Sequence, residues 1–233
     1  MSIEENLKYV RERIEKIALA KGRNPQEIKL VAVIKNIPAE LVFQALAAGV
    51  TDLGENRIQE AQARYQLIRE KFSGVVYQMI GHLQRNKVGQ ALEMFDIIQS
   101  VDSVRLLEEI NKRATKFVPI LIEVNTSGET SKFGIEPEKT IELVRLASTF
   151  DKIKVRGLMT VGPLVADPEK IRPSFRKLRE LRDQIAAQGF PGVEMEWLSM
   201  GMSDDFEVAV EEGSNMLRIG RAIFGLPAAG ERR

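Results

Sequence analysis

The feature that most constrains the fold of this chain is a regular alternation of short β-rich runs with longer helical stretches. The β-rich runs recur eight times, at positions 30–35, 50–54, 76–81, 95–101, 118–125, 155–161, 195–201 and 216–220. Between them the sequence predicts helices at 38–48, 55–71, 84–92, 104–116, 137–149, 168–188 and 204–212. Strands that alternate with helices pair in parallel through right-handed crossovers. Eight such units therefore predict an α/β fold, a closed (β/α)8 TIM barrel.

One further helix is predicted before the first strand. It is marked by an apolar stripe at helical spacing, formed by Ile3, Leu7, Val10, Ile14 and Ile17. No proline- or glycine-rich linker divides the sequence, so we expect a single domain over residues 1–227 and a flexible C-terminal tail at 228–233. A doubly wound open sheet is the alternative fold, because short runs such as 50–54 are weak strand signals.

Composition and charge exclude several classes of function. The formal net charge is +1, from 34 basic and 33 acidic residues, so no broad field favours nucleic acid or an anionic membrane. There is no cysteine and only one histidine, which argues against a metal site built from soft ligands. We find neither a signal peptide nor a membrane-spanning run, and expect a soluble cytoplasmic protein.

Lys35 lies at the C-terminal tip of the first predicted strand. Because side chains alternate along a strand, Val31, Val33 and Lys35 are expected on the inner face of the barrel. A desolvated lysine is more often unprotonated and can form a Schiff base with an aldehyde. The alternative is a lysine that extends to solvent from a strand end.

The loops after the seventh and eighth strands have the composition of a phosphate site. Phosphate in such barrels is frequently held there, where glycines let backbone N–H groups approach oxygens closely. The first loop leads to Ser203, whose hydroxyl is expected either to cap the next helix or to bind phosphate. The second loop contains Gly220 and Arg221.

Arg218 is predicted to point into the barrel, since it shares a strand face with Met216 and Gly220. A buried guanidinium needs an acceptor, and a buried ion pair with Glu123 or Asp52 is the alternative to a ligand. An aldehyde-reactive lysine, a phosphate cradle and an inward arginine together indicate a site for pyridoxal 5′-phosphate (PLP).

Several sequence blocks resemble the pyridoxal-phosphate homeostasis protein family, also described as alanine racemase N-terminal-domain-like proteins. The resemblance spans nearly the whole chain and rests on residues 31–35, 54–60, 80–87, 123–125, 132–134, 156–160, 198–203 and 218–225. It implies a single-domain barrel that holds PLP as an aldimine of Lys35, with Arg218 hydrogen-bonded to the pyridine nitrogen. It places Ser203 and the backbone of Gly220 and Arg221 at the phosphate, with Asn56 and Ser199 nearby.

The sequence departs from the family pattern at three places. Tyr77-Gln78-Met79 replaces the usual tryptophan-histidine-phenylalanine, Ile34 stands where a small hydroxyl residue is common, and Asn215 stands where threonine is common. Affinity or response to ligands could differ as a result. None of these departures removes a residue that the resemblance assigns to the cofactor.

Three functions remain open from the sequence. The preferred one is a non-catalytic PLP carrier that stores, buffers or delivers the cofactor to PLP-dependent apoenzymes, as a monomer or else a weak dimer. The second is a small barrel-type racemase or lyase acting on an amino acid, with Lys35 and His82 as bases. The third, an interaction module, would use the basic cluster of Arg172, Arg176, Lys177, Arg179 and Arg182, which acidic residues interrupt.

Overall fold

The strands form a closed parallel barrel in sequential order. The computed structural model describes residues 1–165 and 167–225. Its strands are β1 (Lys29–Val33), β2 (Asp52–Glu55), β3 (Val76–Met79), β4 (Ile97–Val101), β5 (Val118–Glu123), β6 (Ile153–Met159), β7 (Val193–Ser199) and β8 (Met216–Ile219). Each strand pairs with the next, and β8 pairs with β1. The predicted TIM barrel is confirmed and the open-sheet alternative is wrong.

Helices follow the strands and surround the barrel. They are α1 (Ile3–Ala20), α2 (Ala39–Ala47), α3 (Ile58–Lys71), α4 (Val88–Met94), α5 (Val104–Arg113), α6 (Pro137–Ala147), α7 (Arg172–Ala186), α8 (Phe206–Glu211) and α9 (Arg221–Phe224). Among the residues described, no helix combines the length and the apolar character needed to cross a bilayer. The predicted tail at 228–233, and the last residues of the predicted domain, lie outside the described residues.

Two apolar cores are separated by the sheet. Inside the barrel a small cluster contains Val31, Leu121, Met159 and Met216. Outside it, a much larger core joins the outer face of the strands to the helices, and Ala32 and Ile34 belong to that core. The alternation predicted for the first strand is therefore observed at Val31, Ala32 and Ile34.

The segment predicted as one helix at 168–188 is divided. A 3-10 helix, Pro168–Lys170, precedes α7, and the side chain of Asp167 caps it by accepting the Glu169 N–H at 3.0 Å. Pro173 stands in the first turn of α7 and has no N–H to continue a hydrogen-bond ladder from the preceding turn. The cap at Asp167 therefore belongs to the shorter element.

Candidate functional site

The first and last strands meet at the carboxyl end of the barrel. In the β1–β8 pairing, Val31 is opposite Arg218 and Ala32 is opposite Ile219. Beyond this register the two loops pack closely, since a Cβ added to Gly220 would lie 3.2 Å from the carbonyl oxygen of Val33. The structure therefore brings the Lys35 segment and the Gly220 loop together at one mouth of the barrel, where TIM-barrel sites form.

Lys35 lies in a β-turn rather than in the strand. β1 ends at Val33, and the N–H of Ile37 donates to the carbonyl oxygen of Ile34 at 3.1 Å. Asn36 occupies the third turn position with a φ of 57°, a conformation that asparagine tolerates better than most residues. The Lys35 side chain is exposed, so the prediction of a desolvated amine on the inner face is wrong. The amine is instead accessible at the mouth.

Arg218 is buried inside the barrel, as its alternation predicted. The side chain is 4% exposed, and it donates to the Ser199 hydroxyl at 2.6 Å and to the Thr160 carbonyl oxygen at 2.7 Å. Burial lowers the pKa of Arg218 to about 10, against the opposing effect of the Asp205 and Glu123 carboxylates. The guanidinium therefore remains a cation at neutral pH. A guanidinium has five N–H donors, so others remain for a ligand.

A chain of hydrogen bonds continues from Arg218 across the barrel interior. The Ser199 hydroxyl donates to Gln99 at 2.6 Å, Gln99 donates to Gln78 at 2.6 Å, and Gln78 donates to the Asp52 carboxylate at 2.7 Å. All four side chains are buried. The alternative of a direct ion pair between Arg218 and Asp52 is wrong, because two amides and a hydroxyl lie between them. Ser199 both accepts and donates within this chain, so its hydroxyl is already engaged.

The loops after β7 and β8 are tied to each other. The Ser203 hydroxyl accepts the N–H of Ala222 at 3.2 Å, and Arg221 forms an ion pair with Asp204. The expected capping role of Ser203 is wrong, since α8 begins after Asp205. The N–H groups of Gly220 and Arg221 precede the first intrahelical bonds of α9, which start from the N–H of Ile223. This arrangement presents a hydroxyl and backbone donors side by side.

Several buried amide and carboxyl oxygens at the carboxyl ends of the strands lack a hydrogen-bond partner among the described residues. They include Oδ1 of Asn56, which follows β2, Oε2 of Glu123, at the end of β5, and both carboxyl oxygens of Glu55, at the end of β2. Burial raises the pKa of Glu123 to about 7; Asp102 adds to this rise and Arg218 opposes it. Unsatisfied buried polar atoms are uncommon in folded proteins and mark positions where a ligand can supply the missing partner.

His82 is held in the loop after β3. Its Nδ1 lies 3.6 Å from Oδ2 of Asp102, and its ring stacks on the exposed Phe133 with centroids 4.1 Å apart. A carboxylate and an aromatic ring therefore hold His82 at the end of β3. The pair of an imidazole and an orienting carboxylate is also the arrangement used by general bases.

The tyrosines lie away from the mouth. The chain contains three, and all are within the described part. Tyr9 lies on α1 and Tyr65 on α3, while Tyr77 on β3 is 1% exposed and stacks on Phe95 with centroids 5.1 Å apart. No tyrosine is therefore placed to act as a second base opposite Lys35 in the described structure.

The basic cluster on α7 is largely neutralised. Arg172 pairs with Glu169, Glu211 and Glu212, and the buried Glu212 carboxylate also pairs with Arg176 and Arg179. Lys177 pairs with Glu138, and Arg182 pairs with Asp183. These arginines fasten α7 to the segment after α8, which removes the support for an interaction module.

The three departures from the family pattern have structural positions. Ile34 is fully buried in the outer core, and Gln78 belongs to the interior hydrogen-bond chain. Asn215 joins β7 to β8 by accepting the Leu198 N–H and donating to the Glu196 carbonyl oxygen, both at 2.7 Å.

Sequence reasoning missed several residues that shape the site. Gln99 interrupts the apolar run Ile97–Val101, and a polar residue inside a predicted buried strand could have indicated an interior partner. Thr160 acts through its backbone carbonyl, and nothing in the sequence marks that role. Arg64 on α3 contacts the Lys35 turn, and only the folded structure brings the two together.

The residues present fit the predicted cofactor. A buried cation at the mouth, unpaired amide and carboxyl oxygens, backbone donors beside a serine hydroxyl and an accessible amine match the ring, phosphate and aldehyde groups of PLP. This is the chemistry expected of one anionic, aromatic aldehyde ligand.

The closed barrel, with a lysine turn after β1 and a buried arginine on β8, defines the class of the alanine racemase N-terminal domain, whose family model matches residues 2–228. An Aquifex aeolicus pyridoxal phosphate homeostasis protein is 42% identical over 224 residues, which cover 95% of this chain and 96% of that protein. This chain therefore belongs to the pyridoxal phosphate homeostasis protein family, as its sequence blocks predicted.

Solved structures agree with this assignment. PipY of Synechococcus elongatus PCC7942, determined with PLP bound, is 31% identical with a TM-score of 0.84, covering 96% of this chain and 100% of PipY. Alanine racemase from Corynebacterium glutamicum, at 16% identity, has a TM-score of 0.74 and covers 99% of this chain and 63% of the racemase. The racemase comparison shows the shared fold alone.

Proposed function

We propose that this protein binds PLP reversibly and serves its homeostasis in the cytoplasm by storing, buffering or delivering the cofactor to PLP-dependent apoenzymes. The observation that carries the proposal is the buried, cationic Arg218 at the barrel mouth, next to the accessible Lys35 turn. The names of the homologous proteins and the PLP-bound PipY structure support it. Residues 1–227 would act as one domain, in a monomer or a weak dimer.

The proposed roles follow from the positions of the side chains. Lys35 would supply the amine for condensation with the aldehyde of PLP, with loss of water. Arg218, which Ser199 and Thr160 hold in place, would donate an N–H to the ring nitrogen. Ser203 and the backbone of Gly220 and Arg221 bind the phosphate, because their donors lie together at the start of α9. Asn56 borders the ligand, and Ser199 acts through Arg218.

These groups favour binding of the cofactor over catalysis with it. An arginine at the ring nitrogen keeps that nitrogen unprotonated, and PLP then supplies a weaker electron sink than it does beside a carboxylate. Racemisation also needs a second base opposite the lysine, and the three tyrosines of the chain lie elsewhere. We therefore propose a carrier without strong catalytic activity.

The first test is the absorbance spectrum of the purified protein with added PLP. A protonated Schiff base of PLP is expected to absorb at about 420 nm. Borohydride reduction followed by peptide mapping should place the adduct on Lys35. Lys35→Arg should abolish the band, whereas Lys29→Arg, at the opposite end of β1, should preserve it. A band that survives Lys35→Arg unchanged would contradict the proposal.

The His82–Asp102 pair supports a second candidate, a small PLP-dependent racemase or lyase. Racemisation and β-elimination assays across the amino acids distinguish it from the carrier. For the carrier we expect turnover near the background rate of free PLP. Robust turnover that disappears in His82→Ala would favour the enzyme instead.

A further inference from the structure

Helix α3 grips the turn that carries Lys35. One terminal nitrogen of Arg64 donates to the carbonyl oxygens of Ile34 at 2.9 Å and Ile37 at 2.8 Å. These are the two residues that bracket Lys35 and Asn36. The Arg64 side chain is only 12% exposed, so both bonds form in a largely desolvated environment.

Glu60, which lies one turn of helix α3 before Arg64, also binds the β-turn that carries Lys35. Oε2 of Glu60 accepts the N–H of Asn36 at 3.0 Å. Arg64 in turn lies 3.8 Å from that Glu60 oxygen and donates through Nε to the Glu60 carbonyl oxygen at 3.2 Å. The turn is thus held at both carbonyls and at its central N–H by one rigid helix.

Arg64 is itself restrained by a contact with the end of β2. The carboxyl of Glu55, at the end of β2, is fully buried and lies 3.3 Å from Nε of Arg64. Neither Glu55 oxygen accepts a hydrogen bond among the described residues. This contact restrains the guanidinium between β2 and the turn, so its donors are preorganised toward Ile34 and Ile37.

We infer that Arg64 is a positioning residue for Lys35. By clamping the Lys35 turn to α3, Arg64 sets the position and direction of the amine. The inference rests on the proposed function, because it assigns the clamp to PLP capture. An exposed lysine on an unclamped turn would sample many positions, and each bound cofactor would have to restrict that freedom. The clamp removes the backbone part of this entropic cost before binding.

The same helix supplies a matched control. Arg69 also contacts both a backbone carbonyl, that of Val75 at 2.7 Å, and a carboxylate, that of Asp96 at 2.8 Å. These contacts lie before and after β3, away from the Lys35 turn. Arg64→Lys and Arg69→Lys therefore remove similar interactions from one helix, and only the first affects the lysine turn.

The experiment measures PLP affinity by titrating the band at about 420 nm, together with hydrogen exchange of residues 34–38 without PLP. Arg64→Lys should weaken affinity about tenfold and speed exchange of the Asn36 and Ile37 amides about tenfold. Arg69→Lys should change neither by more than about twofold. Equal losses in both variants would show a general structural role and overturn the inference, as would an unchanged Arg64→Lys.

Two further variants keep the test independent of how well Arg64→Lys folds. Glu60→Ala removes the acceptor for the Asn36 N–H and should weaken PLP binding, while Glu60→Gln keeps an acceptor oxygen and should restore it. A Glu60→Ala protein with wild-type affinity and wild-type exchange would overturn the clamp. If the wild-type protein forms no adduct at Lys35, the proposed function fails, whereas the exchange data still decide whether the clamp exists.

Discussion

At the scale of single residues, the barrel interior is organised by the direction of hydrogen-bond donation. Each donor in the chain from Arg218 through Ser199, Gln99 and Gln78 points toward Asp52. A cation therefore stands at one end and a carboxylate at the other, and the amide orientations are fixed by this polarity. The chain holds Arg218 in one orientation without a salt bridge to it.

Gln78→Leu should destabilise the protein by about 3 kcal/mol, because the Asp52 carboxylate loses a donor and Gln99 loses an acceptor in a buried environment. The measurement is the free energy of unfolding in urea. Gln59→Leu, an exposed glutamine on α3, is the control and should stay within about 0.5 kcal/mol of wild type. Equal stability of Gln78→Leu and wild type would mean that the chain contributes nothing.

Sequence could predict which residues face inward but not how each is used. Strand alternation placed Arg218 correctly, since β8 is regular from Met216 to Ile219. It does not extend to Lys35, because β1 ends at Val33 and a turn follows. The link between Ser203 and Ala222 depends on a contact between two loops, which no local pattern encodes.

At the scale of elements, the ends of β2 and β3 meet with almost no space between them. A Cβ added to Gly81 would lie 2.3 Å from the carbonyl oxygen of Asn56 and 2.6 Å from its Cα. The Gly81 carbonyl oxygen also accepts the Ser100 hydroxyl at 2.5 Å, which ties this junction to β4. The position of Asn56 at the mouth therefore depends on the absence of a side chain at residue 81.

Gly81→Ala should cost about 3 kcal/mol of stability and weaken PLP binding, because backbone atoms of Asn56 must move. Gly89→Ala on α4 is the matched control, since its nearest neighbour would be 3.5 Å away, and it should be neutral or stabilise by up to about 1 kcal/mol. Thermal unfolding and PLP titration of both variants test this. If the two variants unfold at similar temperatures and bind PLP equally well, the close contact between Gly81 and Asn56 is refuted.

The order and type of the elements were predictable because their hydrophobic periods are strong, whereas their ends were not. The predicted second strand at 50–54 is observed as Asp52–Glu55, since residues 50 and 51 precede its pairing with β1 and β3. The helix predicted at 204–212 begins at Phe206, because the Asp205 side chain binds the Met202 N–H and delays the first turn. Strand and helix ends depend on such tertiary contacts.

At the scale of the whole molecule, two buried glutamates make stability depend on pH. Burial raises the pKa of both Glu55 and Glu123 from 4.5 to about 7, with Arg64 opposing the rise at Glu55 and Arg218 at Glu123. Between these pH values the folded protein keeps protons that the unfolded chain has lost. The contribution of these groups is therefore greatest below about pH 4.5 and declines as the pH rises to about 7.

Glu55→Gln should remove part of this decline, by up to about 3 kcal/mol between pH 5 and pH 8. The measurement is the difference in unfolding free energy between variant and wild type at several pH values in that range. Glu70→Gln, at an exposed position of α3, is the control for the loss of one carboxylate. A Glu55→Gln difference that does not vary with pH would show that Glu55 is not protonated in this range.

Closure of the barrel between its first and last strands has a consequence for synthesis. The amine comes from the turn after β1 and the guanidinium from β8, so the ribosome makes one long before the other. In a nascent chain whose β8 has not yet left the ribosome, β1 and the Lys35 turn lack their neighbouring strand. The two sides of this part of the mouth therefore come together only after translation has passed the last strand.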